Sequence, residues 1–429
     1  MRRLARRCRA GSRPIGRDRE GPRQQRRVRA RGLHGYDARV AGNLTRTAGA
    51  IVVGGGVMGV STTYHLAAAG VRDVLLVERE EGLGLGSTGR CAGGFRHQFS
   101  SEINVRLSLE SIRMIRSFSE VHGLPLDVHV DGYLFLCRDA PTWAAYRRDA
   151  EMQRRLGARV DLLDAAGAAE LVPGLAVDGL VGATFGPDDG IADPSGLTNG
   201  YATAARRAGA AIRTGVRVTG IATSADGGRV LGVDTTEGRI VAPLVVLAAG
   251  VWSPSLSVTV GLDLPVKPYP RQLVLTTDFP GRPARRTLVI ETSTMFFFHR
   301  EGGGILMGIP PAGERPTFDT SPDDRFVAEE LLPAAIRVLP AVEAAGLAST
   351  WVGLYEMTPD HHPVVGPVTG LDGLLVATGF SGHGFQHGPV VGKLLAEVAV
   401  AGRATTIDIA PLRPERFARG ELILESHVI

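Results

Sequence analysis

Cysteine is scarce in this sequence. Cys8, Cys91 and Cys137 lie far apart with no C-x-x-C spacing, which leaves no disulfide framework and fits a reduced cytoplasm. Long apolar runs are missing too. Stretches such as Ala48–Val53 and Leu244–Ala249 fall far short of the roughly 20 residues a membrane helix needs, so no spanning segment is expected. Lysine is rarer still: the body holds only Lys267 and Lys393. The formal charge of +4 conceals a split. Of 48 basic and 44 acidic residues, positions 1–46 hold 15 arginines against Asp18, Glu20 and Asp37, which leaves 33 basic and 41 acidic residues for the remainder. The body is mildly acidic, and no nucleic-acid-binding face is expected on it.

Residues 1–46 have almost no apolar periodicity and are expected to be disordered. Arg2-Arg3 and Arg6-Arg7 resemble a twin-arginine signal, but the apolar stretch of roughly 7–15 residues that such a signal requires does not follow. An unstructured extension is favoured over a nucleic-acid-binding arm or a transit peptide.

A chain of 429 residues exceeds one ordinary domain, so two joined domains are expected. Ala50–Val53 reads as a buried strand, followed by a glycine loop and a helix to about Gly70. Val74–Val77 is a second buried strand ending at Glu78, making a βαβ opening in a parallel sheet. Gly82–Arg96 is a glycine-rich loop, too long for a simple connection, which marks function. Helices are expected over Ser101–His122, Pro141–Leu156, Pro194–Ala208, Asp324–Leu339 and Gly388–Ala401. Ile240–Ala249 and Leu374–Ala377 return as apolar strands, and the stretch from Val266 to Ile309 is β-rich. The nucleotide domain is therefore discontinuous: 47–135, 190–265 and 350–405. Residues 136–189 and 266–349 form the second domain, and 406–429 a C-terminal tail.

Gly54-Gly55-Gly56-Val57-Met58-Gly59 matches G-x-G-x-x-G between a strand and a helix. Gly54 serves the tight turn, Gly56 the close approach of backbone to a pyrophosphate, and Gly59 the packing of helix on strand. Free N–H groups at the helix start, Val57 and Met58 among them, then meet phosphate charge. Glu78, 19 residues after Gly59, is placed to accept hydrogen bonds from ribose hydroxyls, with Arg79 beside it. The fold class is thus α/β: a Rossmann-type domain plus a discontinuous α+β substrate domain with a mixed or antiparallel sheet. The fingerprint alone does not choose between FAD and NAD.

Four further segments make that choice. Gly86–His97 (GSTGRCAGGFRH) resembles the flavin loop of the D-amino-acid oxidase superfamily, in particular its sarcosine oxidase branch. Val245–Ser253 (VVLAAGVWS) resembles the second flavin-binding strand, and Gly353–Asp360 (GLYEMTPD) with Ala377–His387 (ATGFSGHGFQH) the C-terminal signature. The resemblance implies FAD, contacted by Ser87, Thr88, Arg90, Gly93, Gly94, Val218, Ala249, Gly250 and Trp252. It adds Gly353, Gly379, Gly382, His383, Gly384, Phe385 and Gln386 to that set. It also implies oxidation of a small amino acid or secondary amine to an imine, by hydride transfer to flavin N5.

Three departures sharpen this expectation. Gly353 stands where monomeric sarcosine oxidase tethers its flavin through cysteine, so FAD is expected to be noncovalent. Leu306 falls near the oxygen-activating lysine of that family, which argues against O₂ as acceptor. The Phe185–Pro194 segment lacks the histidine that tethers a second flavin in the heterotetrameric enzyme.

Arg96 matches the arginine that grips a substrate carboxylate, for which a guanidinium fork is suited; the plain alternative is a loop arginine paired with a structural acid. Gln386 stands in place of a second cationic ligand and retains one hydrogen-bond donor role. Tyr355 aligns with a substrate-facing tyrosine, or is a core tyrosine. His383 and His387, four apart, and Asp360-His361-His362 resemble metal ligands, but a flavin contact and plain packing are the stronger readings, and no metal is expected. Cys91 and Phe296–Phe298 read as packing. The rivals to an amino-acid oxidase are a flavin dehydrogenase subunit passing electrons to a partner, an NAD-dependent dehydrogenase, and a noncatalytic flavoprotein. The expected location is cytoplasmic.

Overall fold

The computed structural model describes residues 47–427; the arginine-rich segment 1–46 lies outside them. Runs of Val, Leu and Ile that are apolar at every position suit strands covered on both faces. Ala50–Val53 and Val74–Val77 are such runs, and all eight of their residues are buried. They lie side by side and parallel at the centre of a six-stranded sheet. Its order is Val364–Pro367, Leu374–Thr378, Val245–Leu247, Ala50–Val53, Val74–Val77, Ala211–Arg213. Every pairing is parallel except that of Val364–Pro367 with Leu374–Thr378. Segments from four distant parts of the sequence thus build one nucleotide-type sheet. The helices Val57–Ala68 and Gly384–Ala401 join its core through Val57, Val60, Leu66, Val390, Val391 and Leu394.

A second, eight-stranded sheet is mixed. Its order is Leu347–Met357, Lys267–Thr276, Gly304–Gly308, Phe296–Glu301, Leu288–Glu291, Tyr133–Cys137, Gly182–Gly186, Asp161–Leu163. Only the pairing of Leu288–Glu291 with Tyr133–Cys137 is parallel. Phe296 and Phe298 pack into the core on one face of this sheet, whereas Phe297 joins a cluster with Tyr133 and Leu273 on the other, as alternation along a strand requires. Phe297 also borders the cavity described below.

Three expected elements are redrawn, the first being the helix expected over Ser101–His122, which is broken at Ser117 into Glu102–Arg116 and Phe118–His122. The apolar run Ile240–Ala249 is broken at Pro243, which cannot donate to a central ladder. Gly238–Val241 ends in a separate antiparallel meander, and only Val245–Leu247 enters the main sheet. The last long helix starts at Gly384 rather than Gly388, with Pro389 inside it. Residues 406–427 do not behave as a free tail. Arg416 is 1% exposed and donates to both carboxylate oxygens of Asp360 at 2.8 and 2.9 Å. Glu425, also buried, accepts from the backbone and hydroxyl of Ser100, from Ser101 and from Asn104.

Candidate active site

The first strand delivers the chain into Gly54, whose φ of +112° is open to glycine. A Cβ on Gly59 would lie 1.8 Å from the Gly54 carbonyl oxygen, so helix and loop close on each other only without a side chain there. The helix from Val57 has no side-chain cap at Gly56. Its first N–H, that of Val57, donates to the Thr88 hydroxyl at 3.2 Å, which fixes the Gly86–Cys91 loop over the helix start. Glu78, at the end of the second strand, accepts from the Gly55 N–H at 2.5 Å and the Glu80 N–H at 2.9 Å. The Arg79 guanidinium lies 3.8 Å from the centre of the Trp252 ring.

These groups open onto a cavity of about 900 Å³. Its wall takes in Gly54, Gly56, Val57 and Met58, then Glu78 and Arg79, then Ser87, Thr88 and Arg90. It continues past Val218, Ala249, Gly250 and Trp252 to Gly353, Tyr355, Gly382, Gly384 and Phe385. A dinucleotide fits this set: a glycine loop at a helix start that has no side-chain cap, a carboxylate beyond it, and a groove lined from both sheets. Gly353 packs against Arg90, whose Cβ would lie 3.2 Å from an added Cβ, and it offers no sulfur for a tether. Cys91 provides no thiolate, since burial pushes its thiol up to about 12. Gly59 and Gly379 border the site indirectly: Gly59 packs as described, and the Gly379 N–H donates to Glu356 at 3.0 Å.

A second, smaller cavity of about 70 Å³ shares Tyr355, Gly382 and Phe385 with the first and reaches Gly93, Gly94, Arg96, His383 and Gln386. Gly382 makes room for Tyr355, because a Cβ there would lie 2.3 Å from the tyrosine ring. Arg96 is buried at its rim, but its terminal nitrogens donate to the carbonyls of Gln98 and His427. Its guanidinium lies 3.9 Å from the Phe99 ring centre. Gln386 is likewise engaged: its amide accepts from the Arg96 N–H and donates to the Arg96 carbonyl, both at 3.0 Å. In this structure both residues expected to hold a carboxylate instead brace the wall, one of them through residues 425–427. The sequence carried no signal for most of this, because the His427 carbonyl lies 331 positions from Arg96 and the Arg96 backbone 290 positions from Gln386.

His383 and His387 stand edge to face with ring centroids 5.1 Å apart. Burial holds His383 well below the usual histidine value and His387 at about 3, aided by the positive charge of Arg96. His387 adds stability in full above its ordinary value of 6.5, and that stability is lost as pH falls toward 3. At pH 5 about 2 kcal/mol of this contribution should be gone relative to pH 7. Urea midpoints at the two pH values check this, and His387→Gln should flatten the difference. Of the other apparent metal ligands, Asp360 holds Arg416, and His362 lies 2.7 Å from the Ser101 hydroxyl.

Sequence reasoning missed three groups on the large cavity. Glu356 follows Tyr355; its carboxylate is raised by burial and receives Thr378 and Gly379 donors at 3.0 Å. Arg271 and Gln272 come from the Lys267–Thr276 strand, where Arg271 pairs in register with Gly353. The basic residue in a β-rich stretch was the available signal.

A family model for FAD dependent oxidoreductases matches residues 50–398. The chain belongs to that family, and FAD is its cofactor. It is 31% identical over 424 residues to FAD-dependent oxidoreductase domain-containing protein 1 of Xenopus laevis, covering 88% of this chain and 84% of that protein. Mitochondrial sarcosine dehydrogenase of Homo sapiens is 30% identical over 374 residues. That match takes in 84% of this chain but only 40% of the longer protein, so this chain spans less than half of it. The solved L-proline dehydrogenase from P. horikoshii is 32% identical with a TM-score of 0.82, covering 88% of this chain and 100% of that one. Among the described residues no helix is long and apolar enough to cross a membrane.

Proposed function

We propose that this flavoprotein oxidises a small amino acid or N-methyl amine, of the sarcosine, glycine or proline type, to the corresponding imine. The observation that carries the reading is the junction of the dinucleotide cavity with the small polar cavity at Tyr355 and Gly382. Bound FAD supplies the two-electron acceptor. The Gly54–Met58 loop would hold its pyrophosphate and Glu78 its ribose, without a covalent link at Gly353. Tyr355, on the shared wall, would orient the substrate. Neutral, buried His383 is a poor proton acceptor near pH 7, so the substrate enters as the free amine. Anaerobic addition of such amines to the FAD-loaded protein should bleach its visible absorbance; a panel that leaves the flavin oxidised would sink the reading. Tyr355→Phe should lower kcat/KM about tenfold, the worth of one oriented hydrogen bond.

A dehydrogenase that hands electrons to a partner protein is the second reading. Leu306 is buried in the eight-stranded sheet, paired with Leu275 and His299. Neither lysine borders the cavity: Lys267 is exposed, and Lys393 pairs with Glu110 at 2.9 Å. Dye reduction should therefore outpace peroxide release, and rapid peroxide would reject this version. A cytoplasmic setting belongs to the same proposal and is supported by Cys91 and Cys137, both free thiols.

A further inference from the structure

Four arginines border the large cavity, and one of them is distinct. Arg79 covers Trp252, while Arg90 and Arg217 are exposed. Arg271 is buried, with its side chain only 9% exposed, and stands 4.9 Å from the Tyr355 ring centre. Its two terminal nitrogens both donate to one carboxylate, that of Glu314. Its Nε is buried with no partner. Glu314 belongs to the segment 309–323 between the Gly304–Gly308 strand and the next helix, most of whose residues are exposed. That segment is fastened on either side of the arginine. The Thr317 N–H donates to the Pro268 carbonyl at 2.9 Å, and the Asp323 N–H to the Gln272 side chain at 2.8 Å. Phe318, 54% exposed, stacks on Trp252 with centroids 6.0 Å apart.

We infer that Arg271 is the binding site for the substrate's carboxylate, and that Glu314 is an internal stand-in which the substrate displaces. The inference rests on the amine-oxidising reading of the same cavity and narrows it to amines that carry a carboxylate. A buried guanidinium without a counter-charge is costly, and a bidentate carboxylate matches its fork. Glu314 meets that need in the free protein. An incoming carboxylate of the same geometry exchanges with it one for one, so the guanidinium stays paired while Glu314 returns to water with its loop. Uncharged amines and amides have no means to make that exchange. Selection for an acid group then comes from a competition that only an acid wins.

The test titrates the full, FAD-loaded protein with propionate and with its uncharged counterpart propionamide, followed by flavin absorbance and by calorimetry. Glu314→Gln removes the competitor and should tighten propionate about tenfold, whereas Arg271→Lys should weaken it about tenfold or more, with propionamide unmoved in both. In the unaltered protein, propionate but not propionamide should speed chymotrypsin cleavage after Phe318 as the loop is released. Equal propionate affinity in all three forms, or weaker binding to Glu314→Gln, overturns the inference. Flavin reduced by amines with propionate indifferent to both substitutions rejects this site and keeps the proposed function. Propionate selectivity in a protein that no amine reduces keeps the site and rejects the function.

Discussion

Gly59→Ala should yield a protein that purifies without its flavin. The added Cβ would sit 1.8 Å from the Gly54 carbonyl oxygen and 2.9 Å from its carbon, and neither is a side chain that can swing aside. The start of the Val57–Ala68 helix must back away from the loop, taking the Val57 N–H from Thr88 and widening the proposed phosphate site. Overpacking of this kind costs roughly 1–3 kcal/mol in fold stability. The loss in cofactor affinity should be larger, about a hundredfold or more, because the backbone groups proposed to hold the phosphate are displaced together. The flavin-to-protein absorbance ratio after purification reads this directly. Stoichiometric FAD in the variant would mean that the glycine loop is not the cradle.

Arg416→Met should cost about 3–5 kcal/mol, since it strands the Asp360 carboxylate in the interior. The pair is 1% and 0% exposed, and Arg416 additionally donates to the carbonyls of Leu412 and His362. Burial pushes the Asp360 carboxyl up, but Arg416 more than offsets it, so its pKa is lowered. Its contribution is thus present above the ordinary carboxylate value and is lost as pH falls through the lowered one. Denaturant unfolding of the variant gives the first number. The double variant Arg416→Met with Asp360→Leu should recover most of the loss, because an apolar pair removes the stranded charge. No recovery would locate the damage in packing instead.

The nucleotide half was legible because its signals are local. A wholly apolar strand, a glycine loop, a helix and an acid at the end of the next strand occur within 29 residues, and each constrains its neighbours directly. The second flavin strand was overextended because periodicity saw only apolar residues, while Pro243 broke the ladder. Most of the motif residues expected at the cofactor line the large cavity, since those motifs are runs of backbone-exposing glycine. Roles of side chains were harder to read. Arg96 and Gln386 look like ligands in one dimension, yet Arg96 is held by the Gln98 and His427 carbonyls and Gln386 by the Arg96 backbone and the Ser108 hydroxyl. Arg271 escaped notice because its significance lies in Glu314, 43 positions on, and in a cavity that sequence spacing does not describe.

The order in which the six-stranded sheet is assembled bears on how the chain is made. The glycine loop near residue 54 leaves the ribosome before the segments it needs, since its strand pairs with residues 245–247, and those in turn with 374–376. Arg96 then awaits the carbonyl of His427. Residues as far as 427 must be synthesised before the cavity proposed for the flavin can close. Until then the apolar Ala50–Val53 and Val74–Val77 strands have an unpaired edge, the condition under which nascent chains aggregate. Supplying flavin during expression should raise yield only by acting on the finished chain, so slower synthesis and abundant cofactor should help independently.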